Sequence, residues 1–176
     1  MKKLYIILTV VLAVLATTGV ASASRPDPRT FLSRLSGSEE VPPRDTDARG
    51  VAVYHLSRDG SELRFVLAVA KITNVTAAHI HCGAVGVNGP VGVTLYTAAL
   101  GGGPAQGVLA RDTITAPDLP NGCGWTTLAD VVAAMRSGDT YTNVHTNDGI
   151  DPPNTGPGDF PGGEIRGQIR AAGATH

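Results

Sequence analysis

The sequence predicts an antiparallel all-β fold, a sandwich or a barrel, with one short helix. Three observations point there. Short stretches alternate between apolar and polar residues with the period of a strand. Turn signals fall between them about every eight to twelve residues. The 176 residues include 22 glycines and 12 prolines, which favour many turns over long helices.

The N-terminus reads as a secretory signal peptide over residues 1–23. Lys2 and Lys3 supply the positive start, Leu4 to Ala16 an almost unbroken apolar run, and Ala21-Ser22-Ala23 a small-x-small cleavage site. The apolar run is short for crossing about 30 Å of hydrocarbon. No second apolar segment follows, so no membrane span is expected after cleavage. Residues 24–30 are polar, carry two prolines, and read as a flexible lead-in.

One domain of roughly 140 residues, 31–170, should follow, large enough for its own core. Phe31 to Leu35 fits an edge strand. Glu39 and Glu40 read as a solvated surface turn, and Pro42 and Pro43 deny backbone donors. Gly50–Ser57 and Glu62–Lys71 alternate and are joined by Arg58-Asp59-Gly60-Ser61, where Asp-Gly tolerates positive φ, so they form a hairpin. Ala77–Cys82, Val91–Thr97 and Gly107–Thr115 are further strands.

Ala116 to Trp125 is an irregular link. Thr126 or Thr127 can cap a helix through Met135, with Leu128, Val131, Val132 and Met135 at helical spacing and Gly138 ending it. Thr140–Thr146 is a strand. Residues 147–162 form a loop rich in proline, glycine and aspartate. Gly163–Arg170 closes the fold, and residues 171–176 form a disordered tail.

Charge and cysteines narrow the function. Without Lys2 and Lys3, 12 of the 14 basic residues face 15 acidic ones, a formal charge of −3. No basic patch argues for nucleic acid. Cys82 and Cys123 are the only cysteines. An even pair in an oxidising compartment is most simply a disulfide, worth about 4 kcal/mol for so long a loop in the chain-entropy picture. A thiolate ligand at Cys82 is the weaker reading, because Cys82 alternates to the face opposite its neighbouring histidines. No serine sits in a nucleophile elbow. Asn74-Val75-Thr76 matches a glycosylation sequon.

The candidate site is Ala78-His79-Ile80-His81-Cys82-Gly83 with the glycine-rich run to Pro90. On a strand, His79 and His81 share a face, their Cα atoms about 7 Å apart. His145, in Tyr141-Thr142-Asn143-Val144-His145-Thr146, could complete a three-histidine face. Neutral imidazole suits copper or zinc, and three protein ligands leave an open position. Asn143 and Glu164 are candidates to orient these ligands from behind. Glu164 also fits a buried charge pair with Arg166. His55 and His176 are weaker fourth ligands. The competing reading is structural: His79 and His81 pin the Gly83–Pro90 loop by backbone hydrogen bonds, and His145 pins the loop after it. The glycines at 83, 86 and 89 lack a βαβ context and read as turns.

The ordered set Leu35-Ser36-Gly37, Glu40-Val41-Pro42-Pro43, Gly50, Ala78-His79-Ile80-His81, Asn88-Gly89-Pro90-Val91, Tyr141-Thr142-Asn143-Val144-His145-Thr146 and Gly163-Glu164-Ile165-Arg166-Gly167-Gln168-Ile169 resembles the CHRD domain. That domain takes its name from the extracellular regulator chordin and also occurs in secreted microbial proteins. The resemblance implies an extracellular Ig-like β-sandwich module and supplies no reaction. The 147–162 loop, with Asp148, Asp151 and Asp159, is longer than the family pattern. The cysteine pair is a local feature. A weaker, fold-level likeness is to the copper/zinc superoxide dismutase sandwich, confined to His79, His81 and the closing strand.

These readings converge on a secreted or periplasmic CHRD-like binding module holding copper or zinc through His79, His81 and His145. The first alternative is a non-enzymatic protein- or matrix-binding module with structural histidines. A superoxide-dismutase-like redox enzyme comes third, because it would need further ligands.

Overall fold

The computed structural model of the protein describes residues 28–150, 152–154 and 156–173. The expected signal peptide, the first part of the expected lead-in, Asp151 and His176 lie outside them. The strands are β1 (Thr30–Ser36), β2 (Arg49–Leu56), β3 (Leu63–Thr73), β4 (Val75–Cys82), β5 (Val91–Thr97), β6 (Pro104–Ile114), β7 (Thr140–Thr146), β8 (Ile165–Gln168) and β9 (Arg170–Ala171). Helix α1 spans Leu128–Ser137. Ala171, assigned to the tail by sequence, pairs with Phe31.

All pairings are antiparallel, in one sheet of order β5-β4-β7-β8-β1-β2-β3-β6, with β9 beside β1. The two end strands, β5 and β6, approach each other, so the sheet is a nearly closed barrel. The antiparallel all-β class and single helix are as expected. The pairing does not divide the strands into the two sheets that an Ig-like sandwich implies. Register shifts at Leu67/Ala68 and Val69/Ile72 on β3, and at two places between β4 and β5, supply the curl, because each bulge bends its strand and adds twist.

β1 is a central strand, bonded to β2 on one side and to β8 and β9 on the other. The edge assignment fails because both sides of β1 find partners. Its inward residues are Phe31, Ser33 and Leu35. Ser33 is accommodated by donating to the Gly167 carbonyl at 2.7 Å. Gly167 is required there, since a Cβ would meet the Arg34 carbonyl.

The hairpin of β2 and β3 forms in the predicted place, Leu56 opposite Leu63, with Gly60 at φ 76°. Its inward face carries Ala52, Tyr54, Leu56, Leu63, Phe65, Leu67 and Val69. Val51, Val53 and Val66 face outward. Helix α1 starts as predicted: the Thr127 hydroxyl accepts from the Asp130 amide, and the Asp130 carboxylate accepts from the Thr127 amide. Leu128, Val131, Val132 and Met135 are buried, and Gly138 ends the helix at φ 80°. The Cys82–Cys123 disulfide forms, with Cα atoms 5.8 Å apart.

β4 and β7 pair with Ala78 opposite Val144 and Ile80 opposite Thr142 on the inward face. The Thr142 hydroxyl meets the Tyr54 hydroxyl at 2.8 Å across the interior, so this buried hydroxyl is satisfied. The outward face of these two strands carries the candidate site.

Candidate metal centre

Strand alternation puts His79 and His81 on the outward face of β4. The register with β7 sets Tyr141 beside His81, Asn143 beside His79, and His145 beside Ala77. The three imidazoles thus come from two adjacent strands. Their ring centroids lie 5.0–5.7 Å apart, and one nitrogen from each falls within 4.8 Å of the others. Among the described residues this is the one group of three or more histidine, cysteine, aspartate or glutamate side chains arranged this way.

Two of the rings are fixed by backbone carbonyls. His81 Nδ1 lies 2.9 Å from the Gly89 oxygen, and His145 Nδ1 lies 2.9 Å from the Pro161 oxygen. A carbonyl only accepts, so each Nδ1 carries the proton and each Nε2 keeps its lone pair. His81 Nε2, His145 Nε2 and His79 Nδ1 are all buried without a hydrogen-bond partner. The bracing role and the ligand role are therefore compatible: bracing uses one nitrogen of a ring and leaves the other.

The loops that hold these carbonyls are themselves held. Arg166, 1% exposed, donates to Asn88 Oδ1 at 3.0 Å and to the Ala84 and Val87 carbonyls at 3.1 and 2.9 Å. Its guanidinium also lies 3.5 Å from the centre of the Tyr141 ring, and His81 stacks with Tyr141 at 4.8 Å. Gly89 can approach the strand only as glycine, since a Cβ there would meet the Cys82 carbonyl. The disulfide anchors the same segment at Cys82.

Glu164 does not pair with Arg166, a correction to the expected charge pair. Its carboxylate accepts instead from Thr46 and Thr146 hydroxyls at 2.6 and 2.7 Å and from the Gly158 amide at 2.9 Å. Three donors satisfy it without a cation. Glu164 thereby ties Thr46 and Thr146 to the Gly158 backbone, in the loop whose Pro161 carbonyl bonds His145. Asn143 is 3% exposed and bonds to Glu40. Glu40 is buried, not the solvated turn residue its sequence suggested: the 161–163 turn and β8 close over it.

Burial sets the electrostatics. It lowers His79 and His81 to about 4, with the neighbouring histidines adding to the effect, and it lowers His145 as well. All three rings are neutral, metal-competent imidazoles at neutral pH. Burial raises Glu40 to about 7 despite the opposing pull of Arg166 and Arg44. Asp118 bonds the Thr94 hydroxyl at 2.7 Å, and Thr94 is the cross-strand neighbour of His79 on β5. Asp118 thus sets a negative charge beside the site.

The remaining sequence candidates fall elsewhere. His55 bonds Thr30 on the exposed face of β2. Both cysteines are in the disulfide, which removes the thiolate ligand. Asn74 of the sequon uses both ends of its amide, donating to the Gly158 carbonyl and accepting from the Gly103 amide, with φ at 54°. The sequon is thus read as a loop clamp. Two open grooves of about 430 and 440 Å³, one beside Arg34 and Arg170, the other beside Arg58 and α1, share no residue with the histidine group.

Sequence reasoning missed Glu40, Tyr141, Arg166 as a loop anchor, and Asp118. Tyr141 and Arg166 could have been found by strand parity, since both share a face with the histidines once the register is known. Asp118 lies in an irregular link and left no signal.

No curated protein and no solved structure matches the chain. A family model, the CHRD domain, matches residues 31–169. That span contains the three histidines, both carbonyl-bearing loops and the strands from β1, less Thr30, through β8; β9 lies just beyond it. By that match over most of its length, the chain belongs to the CHRD domain family.

Proposed function

We propose that the protein is a secreted, metal-binding CHRD module that holds copper or zinc through His79, His81 and His145. One observation carries this reading. Each of the three imidazoles has a buried nitrogen without a hydrogen-bond partner, and one ring nitrogen from each lies within 4.8 Å of the others. Each unpartnered buried polar atom costs about 1–3 kcal/mol. A soft or borderline cation offsets that cost for all three at once. Neutral rings with protons fixed on Nδ1 of His81 and His145 are the ligand form, and their carbonyl partners are the usual support for metal-bound imidazole. Hard cations are disfavoured because no carboxylate joins the group.

An oxidising, extracytoplasmic setting, with residues 1–23 as the signal peptide, belongs to this reading; the disulfide and the family support it. A second reading, a protein- or matrix-interaction module, draws support from the exposed valines of β2 and β3 and is compatible with the first. A superoxide-dismutase-like enzyme would need a second ligand set, and the described residues supply one group of three.

The test is calorimetric titration of the mature protein with copper(II) and zinc(II), beside His79→Ala. His79 makes no hydrogen bond among the described residues, so its loss leaves both bracing bonds intact. Stoichiometric binding by the wild type that is lost in a folded His79→Ala supports the site. Absence of binding by the wild type would return the histidines to a purely structural role.

A further inference from the structure

The histidine group has a wall that metal binding by imidazole alone does not use. Glu40 is 4% exposed, and its Oε1 has no hydrogen-bond partner. The Oδ1 of Asn143 is likewise buried without a partner. Asn143 bonds to Glu40 and stands directly across the strand pair from His79. The turn that carries the Pro161 carbonyl, and so fixes His145, runs on to Gly163. There the chain is pressed against both groups. A Cβ at Gly163 would come within 2.6 Å of the Asn143 amide and 2.7 Å of Glu40 Oε1, and its φ of 123° also calls for glycine. Glu40 and Asn143 are thus covered by the same turn that braces His145, and Asn143 links Glu40 to the strand position facing His79.

The charged groups that face Glu40 are Arg166 from β8 and Arg44 from its own segment. β7 presents the neutral Asn143, and the 161–163 turn presents backbone. Arg166 already spends three donor contacts on the Gly83–Pro90 loop. A buried carboxyl with one oxygen unpartnered is held most cheaply as the neutral acid. A divalent cation arriving in the neighbouring row reverses that preference, because nearby positive charge favours the carboxylate.

We propose that Glu40 is the charge-compensating acid of the tri-histidine site: it keeps its proton while the site is empty and loses it when a divalent cation binds, with Asn143 holding it in place. This rests on the metal reading above. The step balances simply. The carboxyl O–H bond breaks, the proton passes to bulk water, and one negative charge stays beside the incoming cation. No electron moves, and no co-reactant is needed. Asn143 is a positioning residue in this account.

The experiment is zinc(II) titration of the mature protein and of Glu40→Gln at pH 6, each in several non-coordinating buffers of different ionisation enthalpy. The dependence of the heat on buffer counts the protons released. Glu40→Gln should still bind zinc stoichiometrically and should release about one proton fewer than the wild type. A purely structural role for Glu40 would not change that count. Equal proton release from the two proteins, with zinc bound by both, overturns the proposal and leaves the metal site standing. No zinc binding by the wild type overturns both. Should Glu40→Gln fail to fold, infrared difference spectra of the wild type decide the matter. Loss of a protonated-carboxyl stretch on zinc addition supports the proposal, and its persistence overturns it.

Discussion

Two outward faces of the same sheet are inverted relative to ordinary expectation. On β2 and β3 the outward residues include Val51, Val53 and Val66, each about two-fifths exposed. On β4 and β7 they are His81, Tyr141 and Asn143, each at most 7% exposed, with His79 and His145 half-buried beside them. Apolar side chains stand in water, and polar ones stand in the dark. Scattered exposed valines cost little, since much of any protein surface is apolar. Burying unpartnered nitrogens is costly. The loops from Gly83 to Pro90 and from Gly156 to Gly163 impose that burial, and an extensive set of hydrogen bonds holds them in place. Stability alone does not favour such a lid over a polar face. The difference sets β4 and β7 apart from the rest of the sheet.

Arg166 is where that contrast breaks most completely. Arg166→Ala removes three charge-assisted hydrogen bonds, vacates a buried volume, and strands the Asn88, Ala84 and Val87 acceptors. The expected loss is about 3–5 kcal/mol, measured by urea denaturation of the metal-free protein. A loss under about 1 kcal/mol would mean that the Gly83–Pro90 loop does not close the β4–β7 face, and the inversion would be void.

The inversion also explains what could be read in advance. Alternation and turn chemistry were enough for β5 and β7 to the residue, for the β2–β3 hairpin and for the α1 cap, because those signals are local. His79, His81 and His145 were legible as one face because strand parity is local too. Glu40 was not. Beside Glu39 and before two prolines it has every local mark of a solvated turn. Its burial depends on Gly163 and Arg166, more than a hundred residues away. Glu164 and Arg166 were placed on one face as a pair, yet each found nearer partners through loops whose paths no periodicity encodes. The barrel-like closure depends on bulges in β3 and at the β4–β5 pairing, which alternation does not announce.

A smaller effect with a sharper signature is the pH dependence of the metal-free protein, because the covered face carries groups shifted in opposite directions. His79 and His81 sit near 4 in the fold against about 6.5 unfolded. The unfolded chain binds more protons between those values, so their contribution is present above pH 6.5 and is lost as pH falls toward 4. Glu40 sits near 7 against about 4.5. The folded chain binds more protons there, so its contribution is present below pH 4.5 and is lost as pH rises through 7. Denaturation midpoints across pH 4–8 should show two limbs. His79→Gln should flatten the acid limb, and Glu40→Gln the neutral one. Identical profiles for wild type and both variants would show that these groups are solvated and that the face is open.

The smallest effect belongs to the other face and completes the comparison. Val53→Thr and Val66→Thr lie opposite each other in the β2–β3 register. Both keep β-branching, so strand propensity is preserved. Both positions already meet water, so a hydroxyl there needs no protein partner. Each substitution should change stability by no more than about 0.5 kcal/mol and leave copper and zinc binding untouched. A larger loss would mean that the valines are covered by something other than water. A second copy of the chain is the simplest cover, and a concentration-dependent midpoint would reveal it. Unchanged midpoints at every concentration would leave the valines as ordinary surface, and the contrast with β4 and β7 would then rest on the loops alone.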